Sequence, residues 1–277
     1  MEVSVLNTRK TIENKIAGAI YGFAIGDAMG ATTEFMNEFE IKRCGKVTDI
    51  VGGGWLNLKA GDVTDDTQMT ICVMDALEKY NNNIIDFKLQ CIYNFAEWYF
   101  TKPKDIGGQC RKGITHYIYS KGFIPEDNDA LGNGSLMRAM PCAILNKPDF
   151  NVVQGILTHN NQKCSQIILE YTRLIQNIIY NNLYTLYIES LLEPSGYIWN
   201  TFNNSVCWGT KHSFKEAIIG AVNHGGDADT IAAIAGSIAG ARYGYNSIPK
   251  EWINKLNPTI KFYLEKFKNF CFSYVQI

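Results

Sequence analysis

The sequence predicts an all-α protein, a compact orthogonal bundle of many helices. Apolar residues recur at helical spacing along most of the chain, and few segments alternate apolar and polar residues with the two-residue period of a strand. The segments between the periodic stretches carry glycine-rich or polar turn signals.

From Lys15 to Met29 the apolar residues run almost all round, interleaved with Gly18, Gly22, Gly26 and several alanines. Such a stretch suits a buried central helix that its neighbours approach closely. Val47 to Leu58 is the best place for a short strand or extended loop, because Gly52, Gly53 and Gly54 oppose regular helix. Asp66 to Tyr80 spaces Met69, Val73 and Leu77 four residues apart, behind Thr64 and Asp65 as caps. Ile85 to Phe100 reads as the next helix, and Ile167 to Tyr180 and Leu183 to Leu192 continue the pattern. Ser213 and Glu216 form a capping-box signature ahead of Ala217 to Val222, and a further helix begins near Asp229. Pro249 fits the first turn of a short helix reaching Leu256, Pro258 limits it, and the tail from Thr259 is amphipathic. No linker or repeat divides the 277 residues, so a single domain over 1–277 is expected.

Composition narrows the function. The 26 Lys and Arg balance 27 Asp and Glu, leaving no overall field to draw the protein to nucleic acid or an anionic membrane. An anionic ligand must be captured locally. The eight cysteines are scattered with no CxxC pair, which reads as reduced thiols rather than a disulfide framework or a zinc site. The start of the chain lacks the apolar region of a signal peptide, and the most apolar stretch, Ile231 to Ala241, is too short to span a bilayer. A cytoplasmic location without an integral membrane segment follows as the expectation.

Two acidic clusters carry the chemistry. Thr64-Asp65-Asp66-Thr67 and Gly225-Gly226-Asp227-Ala228-Asp229-Thr230 each place two carboxylates where a loop opens onto a helix, with two hydroxyls in the first and one in the second. Asp and Thr are ordinary helix caps, and a cap would account for part of each cluster. A cap needs only one side-chain oxygen, however, and the surplus acids repel one another unless a cation lies between them. Hard oxygen donors without histidine or cysteine select magnesium, manganese or calcium over zinc, and two such sets suit two ions about 3.5–4 Å apart. Glu34, in the polar run after the central helix, is a candidate third contributor, with plain solvation as the alternative. Asn133, Gly134 and Ser135 form a polar turn able to present backbone N–H groups to phosphate or sugar. Gly52 to Gly54 is either a close backbone approach to a ligand or a surface loop, and Asp105 is either a supporting acid or a cap. His159 reads as a satisfied polar histidine as readily as a functional one, and the remaining histidines form no ligand spacing.

Taken in order, five stretches resemble the ADP-ribosylglycohydrolase family, most closely its dinitrogenase reductase-activating branch. They are AGAIYGFAIGDAMGATTEF (Ala17–Phe35), IVGGGWLNLKAGDVTDDTQMT (Ile50–Thr70), GNGSLMRAMP (Gly132–Pro141), Thr158-His159 and NHGGDADTIAAIAGSIAG (Asn223–Gly240). The resemblance implies an all-helical hydrolase with two Mg2+ or Mn2+ ions. It implies Thr64, Asp65 and Asp66 as one ligand set, Asp227, Asp229 and Thr230 as the other, and Glu34 beside them. It further implies removal of ADP-ribose from a modified arginine of a protein such as the nitrogenase iron protein, with Asp65, Asp105 or Glu34 moving the proton. Asn133, Gly134, Ser135 and His159 would contact ADP-ribose, Gly52, Gly53 and Gly54 would line the cleft, and Tyr197 is either a stacking ring or a core tyrosine. Gly108 and Asn161-Gln162-Lys163-Cys164 depart from the family pattern where the modified protein would approach.

Overall fold

The computed structural model describes residues 2–181 and 190–275, the first six as backbone alone. Thirteen α-helices make up the described chain. They are α1 (Glu2–Gly30), α2 (Glu38–Cys44), α3 (Asp65–Tyr80), α4 (Ile84–Phe100), α5 (Gly108–Ser120), α6 (Met140–Ile144) and α7 (Pro148–Ile156). There follow α8 (Gln162–Gln176), α9 (Ile198–Gly209), α10 (Phe214–Val222), α11 (Ala228–Tyr243), α12 (Lys250–Lys255) and α13 (Pro258–Tyr274). Among the described residues the only β pairing is two isolated bridges, Gly53 with Leu58 and Gly132 with Tyr197. The all-α expectation therefore holds, and Val47 to Leu58 is an extended loop rather than a strand.

The centre is the antiparallel pair α1 and α11, and small residues bring the two backbones together. A Cβ added at Gly18, Gly22, Gly26 or Gly30 would fall within about 2.0–2.5 Å of the carbonyl oxygens of Gly240, Gly236, Ala232 and Ala228 respectively. Each glycine lies four residues after the last, and its partner four before, so one ridge of each helix is levelled along its length. From Lys15 onward α1 is buried all round, as is α11 up to Ala241, in keeping with the apolar character of both stretches.

The remaining helices surround this pair. α3 begins at Thr64, whose hydroxyl accepts from Asp66 N, and turns Met69, Val73, Met74 and Leu77 into the core. Each such burial contributes roughly 1.5–3 kcal/mol. Other boundaries differ from the periodic reading. α1 runs back to Glu2, well before Lys15, because a helix can extend past its apolar stretch without packing to mark the start. α8 starts at Gln162 on an Asn161 cap and ends at Gln176, giving way to a π turn over Asn177–Asn181. Ser213 accepts from Glu216 N, but only that half of the capping box forms; a complete box stands at Asn37 and Glu40 ahead of α2. Pro258 opens α13 rather than only closing α12. The helix expected over Leu183 to Leu192 falls outside the described residues through 189, and 190–192 are not helical. No described helix is long and apolar enough to cross a membrane.

Candidate metal and active site

A cleft of about 350 Å3 opens where α1, α3 and α11 end or begin. Its walls include Glu34, Asp65, Asp66, Asp105, Asp227 and Asp229, and no lysine or arginine. Chain direction explains the gathering. α1 points its C-terminus at the place where α11, antiparallel to it, has its N-terminus, and Asp27 of α1 reaches the start of α3.

Asp27 is fully buried and accepts Thr64 N at 3.0 Å, Thr67 N at 3.0 Å and Thr67 Oγ1 at 2.5 Å. One helix thereby supplies the carboxylate that satisfies the free N–H groups at the start of another. Burial raises the Asp27 pKa, while the bonds from Thr67 and Thr64 oppose the rise. The signal for it in the sequence is the one acid in the apolar stretch from Lys15 to Met29.

With α3 anchored in this way, Asp66 faces the second cluster. Its Oδ2 accepts Thr64 Oγ1 at 3.2 Å and Thr230 Oγ1 at 3.1 Å. The other oxygen, Asp66 Oδ1, is buried with no hydrogen-bond partner, and so is Asp229 Oδ1. Oxygens of Glu34, Asp227 and Asp229 all lie within 4.8 Å of one another. Asp227 is held by Asn133 Nδ2 at 2.5 Å, and the same amide reaches Thr201 Oγ1 at 3.0 Å. Phe35 N donates to Gly226 O at 2.7 Å and Gly226 N to Met36 O at 2.9 Å, tying the loop after α1 to the loop before α11.

The electrostatic result is a set of carboxylates with raised proton affinity. Burial, then the neighbouring Asp227, Asp105 and Asp65, push Glu34 up to about 8 against the bond from Trp55. Asp65 rises to about 7 through burial and the charges of Asp105 and Asp27, and Asp105 rises chiefly through burial. Burial and like charges also raise Asp66 and Asp229 well above the ordinary value. Unpartnered buried oxygens, like charges in contact and the lack of a basic side chain in the walls together fit a site for divalent cations. The donors are all oxygen, which suits Mg2+ or Mn2+.

The expected ligand residues are brought together: Asp65, Asp66, Asp227, Asp229, Thr230 and Glu34 line the cleft, with Thr64 one layer behind Asp66. Asp105, Asn133, Gly134 and His159 line it as well. Ser135 is fully buried behind the Asn133 turn, outside the lining. Gly52, Gly53 and Gly54, expected to line the cleft, stand back from it. Gly53 bridges Leu58, and Gly54 packs on the Ala31 carbonyl at a φ of +64° that glycine tolerates. What this turn contributes is Trp55, whose Nε1 donates to Glu34 Oε2 at 2.6 Å. Tyr197 also stands outside the lining. Its backbone pairs with Gly132 and its hydroxyl meets Lys163 Nζ, so its ring is engaged beside the cleft. Trp55 and Asp27 stand inside two of the family-like stretches, but their partners Glu34, Thr64 and Thr67 are met only in the folded chain, so no role for either is legible locally.

Comparison with known proteins bears on the family and the fold. The family profile described as ADP-ribosylglycohydrolase matches residues 8–194 and 181–269. The chain is 33% identical to an ADP-ribosyl-[dinitrogen reductase] glycohydrolase of Rhodospirillum rubrum, over 92% of this chain and 94% of that protein. It is 30% identical to an ADP-ribosylarginine hydrolase of Pseudomonas putida, over 88% of this chain and 74% of that one. A solved structure titled ADP-ribosylglycohydrolase-related protein complex shares the fold with a TM-score of 0.80 at 23% identity, covering 96% of this chain and 98% of its own.

Proposed function

The chain belongs to the ADP-ribosylglycohydrolase family, and from that premise we propose that it hydrolyses the N-glycosidic bond between ADP-ribose and a modified arginine side chain of a protein. The observation that carries this reading is the meeting of Thr64, Asp66 and Thr230 on one carboxylate oxygen, which joins acidic clusters 164 residues apart. Those clusters wall a cleft whose size suits a small ligand.

Thr64, Asp65 and Asp66 would hold one divalent cation and Asp227, Asp229 and Thr230 a second, with Glu34 beside them. Two bound Mg2+ or Mn2+ ions supply the positive charge that lets an acidic cleft accept ADP-ribose, and they lower the pKa of a nearby water. The residues of the chain do the rest. Asn133 holds Asp227 in place, and the turn from Gly132 to Gly134 offers backbone to the sugar or phosphate. Water adds to the anomeric carbon as the bond from that carbon to the guanidine nitrogen breaks. The water loses a proton and the departing guanidine gains one, so free ADP-ribose and unmodified arginine result. Asp65, Asp105 and Glu34 are our candidates to carry that proton, since burial and neighbouring carboxylates raise the proton affinity of each.

For the target, the likeness to the ADP-ribosyl-[dinitrogen reductase] glycohydrolase of Rhodospirillum rubrum makes the nitrogenase iron protein the first candidate. The test is mass spectrometry of an arginine-ADP-ribosylated protein before and after incubation with this protein and Mn2+, with Asp65→Ala and Asp229→Ala as controls. Loss of the modification with release of free ADP-ribose by the unaltered protein alone is expected. Retention of the modification, with binding of ADP-ribose, would make the protein a reader instead; cleavage of a phosphate ester would make it a phosphoesterase.

A further inference from the structure

Arg138 lies just behind the cleft, fully buried, with no carboxylate in ion-pair reach among the described residues. All five of its N–H groups are nonetheless used. Nε donates to Gln154 Oε1 at 2.7 Å, Nη1 to Gly134 O at 2.9 Å and to Cys110 Sγ at 3.6 Å, and Nη2 to Gln154 O at 2.9 Å and to Thr158 Oγ1 at 2.7 Å. The guanidinium also lies over the Phe95 ring, 4.6 Å from its centroid.

The bond to Thr158 has a directional consequence. A guanidinium can only donate, so Thr158 Oγ1 accepts there and keeps its single proton for another partner. That partner is His159 Nδ1, 2.8 Å away. The Cys110 sulfur is the weaker acceptor and already receives Arg138. His159 Nδ1 is therefore an acceptor, and in a neutral ring the proton must sit on Nε2. The ring stays neutral because burial and the nearby Arg138 charge lower its pKa to about 3. His159 is only 2% exposed, lines the cleft, and has no protein partner at Nε2 among the described residues. The Nε2 edge faces the Gly132 and Gly134 backbone, where a Cβ would come within 3.1 Å and 3.3 Å of that nitrogen.

We propose that Arg138 and Thr158 are positioning residues that lock His159 into its Nε2–H tautomer, making it a neutral hydrogen-bond donor to an acceptor oxygen of ADP-ribose. The ligand assignment rests on the function proposed above; the tautomer does not. His159 accordingly binds and orients, and it is not the proton acceptor of the reaction. The described walls of the cleft carry six carboxylates and no lysine or arginine, so a fixed donor adds polarity that an anionic ligand needs. The two glycines leave room for the ligand to reach it.

The experiment is 15N NMR of histidine-labelled protein loaded with Mg2+, the His159 signals being identified by their loss in His159→Gln. Calorimetric binding of ADP-ribose accompanies it. The expected spectrum has Nε2 protonated and Nδ1 bare in the unaltered protein and in Thr158→Ser, which bind ADP-ribose equally. Thr158→Val should lose the tautomer preference and bind ADP-ribose about tenfold more weakly. ADP measured in parallel places the acceptor oxygen: a shared loss puts it on the diphosphate, a loss confined to ADP-ribose puts it on the distal ribose. A protonated Nδ1 in the unaltered protein, or a Thr158→Val protein with unchanged spectrum and affinity, overturns the proposal. Should Thr158→Val fail to fold, the spectra of the unaltered protein and Thr158→Ser still decide the tautomer. A chain that binds no ADP-ribose yet shows protonated Nε2 would refute the function and the donor role while leaving the tautomer lock intact.

Discussion

Gly22 of α1 and Gly236 of α11 touch backbone to backbone: a Cβ on either would fall within about 2.2 Å of the carbonyl oxygen of the other. No rotamer change relieves such a contact, because both partners are main chain. Gly22→Val is expected to destabilise the protein by about 3 kcal/mol, toward the upper end of overpacking costs. Urea unfolding checks it, and the midpoint should fall with little change in slope. Because the same helix pair aligns Glu34 with Asp229, the variant should also respond less to Mn2+ in a thermal melt.

Asp66 offers the two clusters a shared oxygen and has its second oxygen unpartnered. Asp66→Asn removes one carboxylate from the acidic cluster and one proposed metal donor together. The chelated variant should melt at or above the temperature of the chelated parent at pH 8. The gain on adding Mn2+, about 2.7 kcal/mol for a site held at a hundredfold excess over Kd, should disappear. Differential scanning fluorimetry with and without Mn2+ reads both effects, and an undiminished Mn2+ response would remove Asp66 from the ligand set.

Proton affinity predicts how the chelated protein responds to pH. Folding raises Glu34 from 4.5 to about 8 and Asp65 from 3.8 to about 7. Across that window the folded state binds more protons than the unfolded chain, so stability is greatest at the acid side and falls as pH rises. The melting temperature in EDTA should therefore decline from about pH 5 to about pH 8 as these carboxylates ionise against one another. Added Mn2+ competes with the same protons, so its stabilising increment should grow over the same interval. A Mn2+ increment that shrinks with rising pH would contradict the assignment.

Asp27 is expected to matter without touching substrate. In Asp27→Asn the amide N–H2 group must face Thr64 N, Thr67 N or Thr67 Oγ1, most of which are donors. The loss of charge-assisted bonds to the start of α3 should cost roughly 1–3 kcal/mol. A urea titration measures it. Activity at saturating Mn2+, corrected for folded fraction, should fall less than in Asp229→Ala, because the metal donors themselves remain.

Much of the fold was legible in the chain. α3 and α4 carry apolar residues at helical spacing behind Thr64 and Asn83, so their existence and starts could be read within a residue or so. α5 and α9 were not legible, since their apolar faces are broken by polar residues that find partners only in the folded protein, as Asn204 does at Leu192. The acidic clusters announced themselves because each holds more carboxylates than a cap requires. Asp27, Trp55 and Arg138 lie within the family-like stretches, yet their roles were not legible, because a single acid, indole or guanidinium has no spacing to reveal its partners.

Sequence by itself determined the helical class, the oxygen-only chemistry of the two clusters and the close approach written in glycines four residues apart. Tertiary structure alone decided which oxygens meet in the cleft, which of them are left without partners, and how the hydrogen bonds around His159 are directed. The reason is physical. Periodicity and donor type are local properties of neighbouring residues, whereas desolvation, repulsion and hydrogen-bond direction depend on groups that meet only when distant segments pack.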